Sequence, residues 1–94
     1  GSSNVLPPET VARLTGHEVT AAIRPERVRL AETGPLTATV TGLSFLGLST
    51  RVSLLADGTR MTALLPQDAP RPAVGDTVAL TWAEGDLHLM RGKA

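Results

Sequence analysis

From Val19 to Leu89 apolar and polar residues alternate, with turn-forming residues between the runs. Val19, Ala21 and Ile23 point one way, with Glu18, Thr20 and Ala22 opposite. Leu36, Ala38 and Val40 repeat the pattern, with Thr37, Thr39 and Thr41 on the other face. A period of two with β-branched residues on the wet face predicts half-buried strands. Between the first two runs, Pro25 fixes φ and removes a backbone donor, so the first strand must end by Arg24. Val28 and Leu30 then resume the alternation, with Arg27 and Arg29 opposite.

At Gly42 the phase breaks. Apolar residues occupy even positions up to Val40 and odd positions at Leu43 and Phe45. A slip of one residue would turn half of the apolar set into water, so a bulge or sharp bend is expected there, with Phe45 in the core alongside Leu43. Gly47 ends this strand. Val52 and Leu54 face inward on the next, with Arg51 and Ser53 outward. Asp57-Gly58 is a hairpin signal, and Met61, Ala63 and Leu65 mark the returning strand. Pro66, Pro70 and Pro72 define a surface loop, and Val74-Gly75-Asp76 a turn. Val78, Leu80 and Trp82 face inward on the next strand, with Thr77, Ala79 and Thr81 outward. Ala83-Glu84-Gly85-Asp86 turns the chain before Leu87 and Leu89 complete the core-facing set. The predicted fold is all-β with little helix: a small OB-like barrel, closed or partly open, of about six or seven short strands.

The segment before Gly16 follows another pattern. Asn4-Val5-Leu6 reads as a brief strand. Pro8 suits the first position of a short helix, with Glu9 in its first turn, Val11 and Leu14 on one face and Gly16 as its stop. That N-terminal strand has the option of pairing with a neighbouring chain.

The length, 94 residues, allows one domain with one small core. Nine basic and nine acidic side chains cancel, which removes the clustered excess that phosphate backbones require. No cysteine is present, so disulfides and thiolate metal sites are excluded. No apolar run is long enough to form a transmembrane helix.

Candidate chemistry is sparse. His17 lies in a polar loop and His88 points away from the core, neither with an identifiable partner for general-base work. Asp57, Asp68, Asp76, Glu84 and Asp86 sit in turns, where such residues are favoured for backbone reasons. Gly42, Gly47 and Gly58 match neither phosphate-loop nor dinucleotide-loop spacing. Trp82 and Phe45 are the only aromatic residues, and both are in phase with core positions, which leaves few rings for base stacking. Arg24 and Glu26 are placed to pair across the Pro25 turn. Leu46, Leu48, Leu55, Leu64 and Met90 fall out of phase with the core and form a candidate interaction surface.

Ile23-Arg24-Pro25-Glu26-Arg27-Val28-Arg29-Leu30 resembles the IRPE-x-V-R-L signature of the TOBE domain, the OB-like C-terminal domain of ATP-binding subunits in ABC importers. Thr39 to Gly47, with Ser49-Thr50-Arg51-Val52 after it, resembles the family's V-x-x-V-x-F/Y-L-G strand. Val74 to Trp82 with Asp86-Leu87-His88-Leu89 resembles its closing run, and Asn4-Val5-Leu6-Pro7 resembles its usual lead-in. The resemblance implies residues 1–3 as an expression scar, 4–18 as a lead-in from a nucleotide-binding domain, and 19–94 as the TOBE domain. Arg24, Pro25 and Glu26 would be the structural turn of the motif. No catalytic, metal or cofactor residue is implied, since the Walker and signature segments are lacking. The implied role is a regulatory and dimerisation domain of an importer ATPase that is cytoplasmic and peripheral to the membrane. Its partners would be a homodimer mate held through the ATPase subunit, and permease subunits reached through the parent, with no nucleic acid and no direct membrane insertion. Polyamine or ferric iron importers resemble it most, then sugar and glycerol-phosphate importers. The alternatives are a sensor of a small molecule or oxyanion such as molybdate, and a single-stranded nucleic-acid module.

Overall fold

The computed structural model describes residues 3–90. In chain order the elements are β1 (Asn4–Leu6), α1 (Pro8–Thr15), β2 (Thr20–Ile23), a 3-10 turn (Pro25–Arg27), β3 (Arg29–Ala31), β4 (Leu36–Phe45), β5 (Ser49–Ala56), β6 (Thr59–Pro66), β7 (Thr77–Thr81) and β8 (His88–Met90). Eight strands form where six or seven were expected, because β1, β3 and β8 each hold as short pieces against longer neighbours.

The strands divide into two antiparallel sheets, β1-β2-β8 and β3-β7-β4-β5-β6. The architecture is OB-like without closing into a true barrel. The N-terminal strand pairs with β2 of its own chain, Val5 opposite Ala22. Helix α1 begins at Pro8 and ends at Gly16, whose φ of 85° is the left-handed C-cap and whose N–H donates to the Ala12 carbonyl at 2.8 Å. The Pro7 carbonyl accepts from Thr10 and Val11, both of which are buried.

The phase break is a bulge. Val40 faces Leu54 and Gly42 faces Ser53, so Thr41 is the extra residue of β4. A Cβ on Gly42 would meet only Ser53 side-chain atoms at 3.6 Å, which is ordinary contact. The glycine marks the bulge without being sterically required by it. Gly34 is different. A Cβ there would lie 2.5 Å from the Leu80 carbonyl oxygen, because the β3–β4 connection crosses directly over β7.

That crossing explains one departure from the alternation. Ala79, expected outward, is buried beneath Gly34. A second departure is Phe45, which is 64% exposed rather than in the core. Beyond the bulge β4 runs past the cover of the small sheet, so Leu43 is half-buried and Phe45 emerges into solvent. A third departure is Ala22, expected outward and buried in β2. Elsewhere the core follows the pattern: Leu6, Ile23, Val28, Val40, Val52, Leu54 and Leu80 are essentially inaccessible, with Trp82 half-buried against them.

The two sheets are also joined by one polar side chain that the periodicity does not reveal. Asn4 Nδ2 donates to the Thr62 carbonyl at 2.8 Å, and the Thr62 N–H donates to Asn4 Oδ1 at 2.7 Å. Because β6 is an edge strand, Asn4 serves as a one-residue strand partner for it, and it does so while almost wholly buried.

Asn4→Ala leaves that backbone pair unsatisfied, at a cost of about 2 kcal/mol, which lowers the melting temperature by about 10 °C. Asn4→Asp is expected to be at least as damaging, because a carboxylate cannot donate to the Thr62 carbonyl. Thermal melts followed by circular dichroism measure both; an unchanged midpoint for Asn4→Asp would remove the donor from the account. Gly34→Ala is expected to destabilise by about 1–3 kcal/mol through overpacking, whereas Gly42→Ala stays within about 1 kcal/mol. Urea titration of the two variants separates these outcomes.

Candidate functional site

A surface groove of about 700 Å³ lies along the outer face of the β5–β6 hairpin. Alternation determines which side chains reach it. Val52, Leu54 and Ala56 of β5 and Met61, Ala63 and Leu65 of β6 are buried, so Arg51, Ser53 and Leu55 and Arg60, Thr62 and Leu64 project from the other side, and of these Arg51, Arg60, Thr62 and Leu64 line the groove. The cross-strand pairs on this face are Arg51 with Leu64, Ser53 with Thr62 and Leu55 with Arg60. The facing wall is the Pro25 turn, which presents Arg24, Pro25 and Glu26, and Val5 of β1 closes one end.

The turn owes its shape to Pro25. Arg24 takes the extended conformation expected before a proline, φ −71° and ψ 143°. The Arg27 N–H then donates to the Arg24 carbonyl at 2.9 Å, and the Val28 N–H to that of Pro25 at 3.3 Å. The expected Arg24–Glu26 pair does not form. Backbone hydrogen bonds hold the turn, and both side chains are exposed over the groove. Among the described residues the one ion pair joins Arg13 of α1 to Asp57 of the β5–β6 turn. Arg24, Arg51 and Arg60 therefore line the groove without ion-pair partners among the described residues, against the single carboxylate of Glu26.

The five out-of-phase apolar residues do not gather into one patch. Leu46 and Leu48 lie at the β4–β5 turn, 47% and 85% exposed. Leu55 is exposed at the far end of β5, opposite Arg60. Leu64 is half-buried opposite Arg51, and Met90 is exposed in the small sheet, opposite Thr20. Phe45, missed because its phase matched the core, joins Leu46 and Leu48 at the hairpin tip, where the Arg71 guanidinium lies 5.0 Å from its ring centroid.

Elsewhere the candidate chemistry stays dispersed. His88 is exposed opposite Ala22. His17 is exposed, and its backbone N–H donates to Thr15 Oγ1 at 3.0 Å. Among the described residues no three metal-binding side chains come together. What the groove offers is three guanidinium groups, two hydroxyls and apolar flanks: the equipment of a binding surface.

Comparison with known proteins identifies the family. The TOBE domain family model matches residues 21–90, from β2 through β8. The chain is 36% identical over 93 residues to the uncharacterized ABC transporter ATP-binding protein y4fO of Sinorhizobium fredii, covering 97% of this chain and 27% of that protein. It is 33% identical over 90 residues to the spermidine/putrescine import ATP-binding protein PotA of Pseudomonas fluorescens, covering 88% of this chain and 24% of that protein. The chain thus spans about a quarter of the length of these curated relatives. No solved structure matches the chain at a significant level. With the match running through both sheets and the Pro25 turn, the chain belongs to the TOBE domain family and is a non-catalytic accessory module rather than an ATPase active site.

Proposed function

We propose that this domain is the regulatory and docking module of the ATP-binding subunit of an ABC importer. The observation that carries the proposal is identity of 36% and 33% across nearly the whole chain to two ABC transporter ATP-binding proteins. In this reading residues 4–18 lead in from the nucleotide-binding domain of the parent, with β1 and α1 anchoring that connection to the accessory domain. The Arg24-Pro25-Glu26 turn is a structural element that also presents two charged side chains to partners. The parent works at the cytoplasmic face of the membrane with permease subunits, and the solute is a polyamine, in keeping with the name of the second relative; ferric iron follows. Among the described residues no helix is long and apolar enough to cross a membrane.

Dimerisation in this proposal comes from the ATPase subunit. The exposed tip of Phe45, Leu46 and Leu48 is smaller than the roughly 1,000 Å² that a stable interface buries. The chain alone is therefore expected to sediment as a monomer at about 100 μM; a tight dimer at that concentration would move self-association into this domain.

Transport is tested in the native cell with the gene for the full-length subunit deleted and then restored. Uptake of labelled spermidine or putrescine is expected to fall on deletion and to return with the intact gene. A version lacking residues 21–90 is expected to restore little of it. Unchanged uptake of polyamine, ferric citrate and sugar in the deletion strain would overturn the importer assignment.

A further inference from the structure

The groove on the β5–β6 hairpin has a charge spacing that says what it holds. Arg51 sits opposite Leu64, and Arg60 opposite Leu55. Their positions are four residues apart along the ladder, about 13 Å at the usual rise of a strand. Between them lies the small polar pair Ser53–Thr62. Each arginine therefore has a leucine beside it, and the two Arg–Leu units flank a hydroxyl-bearing centre. Arg24 supplies a third guanidinium from the opposing wall, and Glu26 the one carboxylate.

Two features select among occupants. The spacing of the arginines exceeds the span of one tetrahedral oxyanion, so their main-chain placement suits two separate negative charges. The outer edge of β6 is closed at Thr62, where Asn4 takes both the N–H and the carbonyl. A partner that adds a strand by continuous backbone pairing is blocked there, which leaves recognition to side chains on the face.

We propose that this face docks an extended acidic segment of a partner protein. Carboxylates at positions i and i+4 of that segment meet Arg51 and Arg60, and a small residue at i+2 lies over Ser53 and Thr62. In an extended chain these three side chains share one face, so their spacing reproduces that of the groove. Arg24 adds charge from the wall, and Leu55 and Leu64 accept apolar neighbours. The docking face does not depend on which solute the parent transports.

The test is a titration of the ¹⁵N-labelled chain, followed by amide shifts, with a capped peptide carrying glutamates at i and i+4. A control peptide of the same composition has the glutamates adjacent. The spaced peptide is expected to shift the amides of Arg51, Arg60, Thr62 and Leu64, to bind more tightly than the control, and to weaken as salt rises. Arg51→Gln and Arg60→Gln are each expected to weaken it about two- to fivefold, as for exposed ion pairs, and together about tenfold. Both side chains are exposed, and the same spectra show that the variants are folded. Equal affinity for the two peptides, or wild-type affinity in the double variant, would overturn the proposal. So would displacement of the peptide by sulfate or molybdate at matched ionic strength, which would assign the groove to a compact oxyanion.

Discussion

A single carboxamide holds the two sheets in register. Asn4 comes from the edge strand of the small sheet, and its side chain meets both backbone groups of Thr62 on the edge strand of the large one. Apart from that contact and the chain connections, the sheets meet through apolar packing, which is non-directional and tolerates sliding. With the carboxamide in place, one point of contact has fixed geometry, and Leu6 and Ile23 are set against the inner faces of β4 through β6. The amide is suited to the task because it carries both an acceptor and a donor, the complement of one residue of backbone. Its near-complete burial raises what is at stake, since an unmade hydrogen bond there has no water to replace it.

A second constraint sets where the core stops. The Thr41 bulge bends β4, and its far half passes beyond the small sheet into the hairpin with β5. The five strands of the large sheet cannot all be covered by three strands of three or four residues. The result is a molecule with axes of 42 × 24 × 21 Å, its covered end packed and its hairpin end open. Phe45 is exposed for that reason. The Arg71 guanidinium over its ring replaces part of the contact that a covering strand would have supplied.

Much of this was legible in the chain. The period-two runs located every long strand, the phase change located the bulge, and the Pro8 and Gly16 punctuation bounded the helix. The ordered motifs pointed to the family. What was not legible depends on contacts distant in sequence. Alternation says which face of a strand Phe45 shares with Leu43, but whether that face is covered depends on how far the other sheet reaches. Ala79 reads as outward until the β3–β4 connection is seen crossing over it. The Asn4–Thr62 contact spans 58 positions and looks, in sequence, like a polar residue at a strand start. Charge pairing misled in the same way. Arg24 and Glu26 are neighbours in sequence, yet the ion pair that forms joins Arg13 to Asp57 through the proximity of α1 to the hairpin turn.

The same geometry that stabilises the domain limits what can bind to it. Asn4 both joins the sheets and lines the groove, so the edge that would invite strand addition is occupied where the groove is deepest in polar groups. Edge strands are ordinarily protected by charge, irregularity or cover. Here the protection is a side chain that belongs to the fold itself, and it leaves the outer face of β5–β6 as the accessible surface. The composition of that face then follows from alternation alone, since the inner positions are committed to aliphatic packing and the outer ones are free to carry Arg51, Arg60 and the hydroxyls. For a module without chemistry of its own, function lies in what such a face recognises. Guanidinium groups separated along a rigid ladder select by spacing, and a rigid ladder is what the Asn4 contact preserves.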